Sequence, residues 1–152
     1  QPLMDYCCSS WYSGLTQELK SSLDILQRKM LRFIYGMGAR DHVGGQELLS
    51  LGWLTIPDRV RYFKMVHFFK IRNGLAPSYM VSRFQPVALV HSHFTRSSGG
   101  NYFVPGDIAR ASSSFSFTAM KEWNSLPGDL KDIQNEVVFK RKLKGHLMSD
   151  YF

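Results

Sequence analysis

The sequence predicts a mainly α fold: a compact helical domain with a small β-hairpin or irregular segment around residues 87–118. Three observations carry this reading. The chain has 152 residues, 44% hydrophobic and 14% aromatic, which suits one domain with a real core and excludes a disordered tail. Apolar residues recur at helical spacing over residues 17–35, 57–72 and 135–149. Between 87 and 118 that period disappears, and Ser, Gly and His accumulate.

Taken in order, residues 3–12 (LMDYCCSSWY) read as the end of a helix broken at Ser13-Gly14. Thr16 is then an N-cap, and Glu18 sits in the first turn, where the helix dipole favours an acid. Over 17–35, Leu19, Leu23, Leu26, Met30, Phe33 and Ile34 share one arc at 100° per residue, expected to pack into the core. Arg28 and Arg32 project from the opposite side with Lys29 on the flank, and Gly36-Met37-Gly38 stops the helix. Residues 46–51 form a short helix ended by Gly52. Pro57 opens the next helix, with Thr55 and Asp58 as a weak capping pair, and Asn73-Gly74 ends it. This helix is apolar nearly all round (Val60, Phe63, Met65, Val66, Phe68, Phe69, Ile71), as a central core helix is. Its cations fall in two groups: Arg61, Lys64 and Arg72 beside Phe68, and Arg59 with Lys70 on the other flank.

Ala76-Pro77-Ser78 opens another short helix reaching about Phe84. Residues 102–104 and 114–117 (SFSF) read as short strands, with Gly99-Gly100 and Pro105-Gly106-Asp107 as turns. A helix follows from Phe117 or Thr118 through Trp123, closed by N-S-L-P-G. The last helix turns Phe139, Leu143 and Leu147 inward and Lys140, Arg141 and Lys144 outward.

The chemistry these residues allow is narrow. No paired acids stand out, and Asp107, Asp129 and Asp132 lie in Gly/Pro loops where capping or solvation explains them. There is no Walker or Rossmann glycine loop and no G-x-S-x-G elbow. Cys7, Cys8, His91 and His93 are zinc-type ligands. Adjacent cysteines chelate together poorly, however, so they remain weak metal candidates and no cofactor is expected. His67 reads as a satisfied core histidine. The adjacent cysteines make no disulfide framework, which points to a reducing, intracellular setting, nuclear or cytoplasmic. No apolar run approaches the ~20 residues of a membrane span, and no signal peptide is visible. The chain starts at Gln1, as expected of a piece of a longer polypeptide.

What remains is charge. There are 19 Lys and Arg against 12 Asp and Glu, a formal net charge of +7. Cations interleaved with aromatics on three helices suit phosphate contacts that carry no sequence information.

The order of motifs is more specific than any of these features. The chain runs P-L-x-D-Y-C-C-S-S-W-Y (2–12), L-Q-R-K-M-L-R-F-I (26–34), L-G-W-L-T-I-P-D-R (51–59) and F-K-I-R-N-G-L-A-P-S-Y (69–79). It continues H-S-H-F-T-R (91–96), S-F-S-F-T-A-M-K-E-W-N-S-L-P (114–127) and F-K-R-K-L-K (139–144). Over essentially its whole length this resembles the C-terminal region of non-LTR, LINE-type retrotransposon reverse transcriptases of the Jockey-like sort. The resemblance implies that residues 1–36 are thumb-like C-terminal helices and that 37–152 form the basic helical domain after the thumb, the two making one unit. It implies a module that helps hold template RNA and target DNA without chemistry of its own. The Y/F-x-D-D carboxylates of the polymerase belong upstream, and no such motif occurs here. Some relatives carry a C-terminal zinc knuckle, but this chain has no cysteine after Cys8.

The expected partners are therefore RNA or DNA, through Arg28, Arg32, Arg61, Lys64, Arg72, Lys140, Arg141 and Lys144, with Arg96 for a more particular contact. Residues 3–12 are expected to meet the remainder of the polymerase or a second copy, and no membrane is involved. The competing expectation is a domesticated or structural domain for protein interaction or oligomerisation, without a nucleic-acid ligand.

Overall fold

Helix ends that the sequence marks with capping residues are where the backbone places them. In the computed structural model, which describes residues 5–90, 100–106 and 114–151, the longest helix runs Gln17–Tyr35. The Thr16 hydroxyl accepts the Leu19 N–H at 3.4 Å and opens the helix. Gly36, at φ +63, closes it, and the Met37 N–H reaches back to the Arg32 carbonyl at 2.9 Å. A left-handed residue there is cheap only for glycine. In chain order the helices are α1 (Cys8–Trp11), α2 (Gln17–Tyr35), α3 (Gly45–Ser50), α4 (Ile56–Arg72), α5 (Ser78–Val81), α6 (Val87–Val90), α7 (Phe115–Asn124), α8 (Gly128–Lys131) and α9 (Glu136–Met148). The described residues are mainly helical, 67% helix with almost no strand, as the periodicity predicts.

The chain divides into two units, Gln1–Tyr62 with Leu143–Phe152, and Phe63–Lys142. In the first, Leu31, Val43 and Leu48 are buried together, and Met37, Leu51, Trp53 and Tyr151 pack around them. Gln27 is buried in the same unit, its side-chain amide donating to the Leu54 carbonyl at 2.8 Å. The Tyr151 hydroxyl donates to Asp58 at 2.6 Å and accepts the Thr55 N–H at 2.7 Å, which ties the chain end to the start of α4.

Aromatic rings build the second unit. Phe68 meets Phe84 and Tyr102 edge-on at centroid distances of 5.0 and 4.9 Å, and lies 5.0 Å from Trp123. Phe69 stacks on Phe139 at 4.4 Å. Such pairs add ~0.5–1.5 kcal/mol each beyond the area they bury. The Trp123 indole donates to the Gly100 carbonyl at 2.9 Å, and the Asn124 amide brackets the Tyr102 backbone at 2.9 and 2.7 Å. These bonds pin residues 100–102 against α7.

Four expectations need correction. Residues 114–117 are not a strand: Ser114 is the N-cap of α7, its hydroxyl accepting the Phe117 N–H at 3.3 Å. Ser-Phe alternation mimics a two-residue period, but the helix buries Ala119, Met120 and Trp123 on one side, a gain the short strand cannot match. Residues 102–104 make only an isolated antiparallel bridge, Tyr102 to Pro86, so a hairpin is absent among the described residues; 91–99 and 107–113 lie outside them. The apolar arc of α2 does not face the core. Phe33 is 88% exposed, and Leu19, Leu26 and Ile34 are about half exposed, while Gln27 and Leu31 form the buried line instead. Finally, His67 is exposed rather than a core residue. The predicted apolar line of α4 is buried, with Met65, Phe68 and Phe69 at 0% exposed and Val60, Val66 and Ile71 at 5% or less.

Candidate nucleic-acid interface

Helix geometry decides first which cations reach solvent. On α2, Arg28 and Arg32 lie on the side away from the apolar arc. Arg28 is exposed, and Arg32 is half-buried with its Nε donating to the Asp41 carbonyl at 3.0 Å. That bond anchors the side chain at the turn after the helix. Arg40 in this turn is also exposed, a cation the periodicity arguments did not reach because it lies between helices.

On α4 the cations behave differently. Lys64 is 4% exposed and bonded to the Glu122 carboxylate at 2.7 Å, so its charge is matched inside its own unit. Arg72 donates from Nη1 to the Lys131 carbonyl, and its guanidinium sits 5.3 Å from the Trp123 ring centroid. Both serve the aromatic core: one neutralises a neighbouring acid, the other caps a carbonyl while stacking on an indole. Arg61 is half-buried. Arg59 forms a two-point pair with Asp5, the Nη2 to Oδ2 bond measuring 2.5 Å, and this pairing raises the guanidinium pKa further.

The last helix also carries cations open to solvent. Arg141 and Lys142 are exposed. Lys140 is half-buried and pairs with Glu136 one turn back at 2.5 Å, while Lys70 reaches the same carboxylate at 3.4 Å. These two amines, joined by hydrogen bonds, hold the Glu136 carboxyl below its usual range. Lys144 is half-buried, its Nζ passing 3.5 Å from where a Cβ on Gly52 would stand. Gly52 has φ +61, so no larger residue takes that turn without strain. Arg96 lies outside the described residues.

Lys131 is a further cation that the sequence does not single out. It is 8% exposed and donates from Nζ to Asn101 Oδ1 and the Asn124 carbonyl, both at 2.9 Å. Burial pushes its pKa down. Nothing in the local G-D-L-K-D stretch signals this, because its partners are fixed by how residues 100–102 fold over α7.

The weak metal candidates are not brought together among the described residues. Cys7 is exposed while Cys8 is buried, and burial pushes the Cys8 thiol up, away from a reactive thiolate. His91 and His93 lie outside the described residues. Among those described, no group of three or more His, Cys, Asp or Glu is placed to hold a metal ion. No described helix is long and apolar enough to cross a membrane. The segment expected to meet a partner, 3–12, is described from Asp5 onward: Cys8 and Ser9 are buried, Asp5 pairs with Arg59, and Tyr6 is 78% exposed.

One cavity of about 450 Å³ opens in the first unit, lined by Asp24, Gln27, Arg28, Gly44, Thr55 and Tyr151 among others. Burial raises the Asp24 carboxyl pKa, opposed by Arg28 one turn on. In comparisons with protein-family models, with curated proteins and with solved structures, no match was found.

Proposed function

We propose that this chain is a non-catalytic nucleic-acid-binding module, acting within a reverse transcriptase of the non-LTR retrotransposon type. The observation that carries the reading is the excess of positive charge, +7 over the chain, with exposed cations on α2, in the turn after it and on α9. The order of sequence motifs supports the family.

Not every predicted contact carries equal weight. Lys64 and Arg72 are engaged inside their unit, so the phosphate contacts fall to Arg28, Arg32, Arg40, Arg141, Lys142 and Lys144. Lys140 joins them where a phosphate competes with Glu136. Contacts of this kind position a backbone without reading bases.

The test is fluorescence anisotropy with a labelled RNA hairpin and a DNA duplex across a range of salt. Each lost phosphate contact should reduce the slope of log K against log salt by ~0.7–0.9. Replacing Arg28 and Arg141 together by Ala should therefore flatten the slope by ~1.5 and weaken binding to every sequence alike. An unchanged slope would remove these residues from the interface, and absence of binding at low salt would end the proposal.

A further inference from the structure

The exposed side of α2 has the spacing of a helix-pairing seam. Leu19, Leu23, Leu26, Met30 and Phe33 follow one another at alternating steps of four and three residues, the repeat that keeps one stripe of a helix against another helix. Phe33 is 88% exposed, Leu19 51% and Leu26 44%, so most of the stripe faces water. Single exposed apolar residues are ordinary on a protein surface; a row of five in this register, three of them this open, is not.

The seam also has relief. Lys29, Met30, Phe33, Ile34 and Trp53, all in one unit, line an open notch of about 330 Å³, walled chiefly by apolar atoms. It has room for one large apolar side chain, the kind of anchor that dominates helix-in-groove recognition. Gln27 and Leu31, already buried, bound the stripe on one side, where Ile34 at its edge stays 48% exposed. Heptad spacing with a notch for one side chain is the relief that another helix fits.

Charge selects the occupant. The positions flanking the stripe are held by Lys20, Ser22, Gln27, Lys29 and Ile34, with no acid among them. A second copy would bring the same residues and set no carboxylate opposite Lys29 or Lys20, whose Nζ already lies 5.3 Å from the Tyr12 ring centroid, with +7 on each chain opposing the approach. We infer that the outward seam of α2 docks a foreign amphipathic helix carrying apolar residues at heptad spacing and acidic residues at the flanks. That helix places a large apolar side chain in the Met30–Trp53 notch and carboxylates beside Lys20 and Lys29. The inference is independent of nucleic-acid binding, since Arg28 and Arg32 lie on the other side of the same helix.

The experiment uses the whole chain and two fluorescein-labelled three-heptad peptides, with Leu at the a and d positions and Glu or Lys at e and g. Like charges keep each peptide from pairing with itself. The Glu peptide should bind at micromolar concentration and the Lys peptide ~10-fold or more weakly. Phe33→Glu and Leu26→Glu should each abolish binding while leaving the circular dichroism and the salt slope of RNA binding unchanged, because both positions lie on the open stripe away from Arg28 and Arg32. Equal binding of the two peptides, or no binding of either, would overturn the inference. So would concentration-dependent dimerisation of the free chain in sedimentation equilibrium that Phe33→Glu removes, since a second copy would then own the seam.

Discussion

At the scale of single residues, polar groups in this protein act mainly as internal ties. Tyr151 is the clearest case: its hydroxyl bridges Asp58 and the Thr55 backbone, and burial pushes its pKa up to about 12 from 10.0. The unfolded chain loses the phenolic proton near pH 10, and the folded chain keeps it until about 12. A raised acid pKa of this kind contributes stability that is whole below pH 10 and lost as pH climbs to 12. The wild type should therefore lose denaturant stability over that interval, and Tyr151→Phe should lose less; parallel curves would deny Tyr151 this role. Gly45 shows how tightly the same region is packed, since a Cβ there would stand 2.6 Å from the Tyr151 carbonyl oxygen.

Lys64 makes the same point for a cation. Removing a buried amine strands its partner, and because the Glu122 side chain is 28% exposed, Lys64→Ala should cost ~1–3 kcal/mol in chemical denaturation. It should leave the salt slope of RNA binding unchanged, because its amine is bonded to Glu122 rather than open to phosphate. A flattened slope with intact stability would reverse that assignment. The identity of Lys64 as a helical cation was plain in the sequence. Its partner, 58 positions away, was not, because nothing local to either residue encodes the pairing.

At the scale of elements, capped helices were legible and uncapped ones less so. Thr16, Glu18 and Gly36 placed both ends of α2, because each satisfies or relieves backbone groups within a few residues of itself. Ser114-Phe115-Ser116-Phe117 reads as a strand because its local pattern fits both periods, and only the burial of Ala119, Met120 and Trp123 decides between them. If Ser114 caps α7 as its hydrogen bond implies, Ser114→Ala should lower stability by ~0.5–1 kcal/mol, and Ser114→Asp should hold it. Thermal unfolding followed by circular dichroism measures both; no loss in the alanine variant would show that the cap is idle. Hydrophobic periodicity identifies an apolar stripe but not what covers it, and on α2 the buried line runs through Gln27 and Leu31 instead.

At the scale of the whole molecule, net charge is the property with functional reach. An excess of seven positive charges gives any polyanion a long-range attraction that salt screens, whatever the fold. Under the proposed function, the measured slope should count the cations on the open faces of α2 and α9 and not the full set of helical cations. A slope matching all the predicted contacts would mean that the Lys64 and Arg72 ties open on binding. That outcome is visible as a stability loss in the complex-competent state.

By itself the sequence determined the helical class, most helix ends and the sign of the charge. Each of these depends on composition or on residues within one or two turns of one another. Only the tertiary structure decided which cations are engaged and which stripe of α2 is left open. Glu122 claims Lys64, Asn101 and Asn124 claim Lys131, and the Leu54 carbonyl claims Gln27. Those choices are made by groups far apart in the chain, where no local pattern reaches.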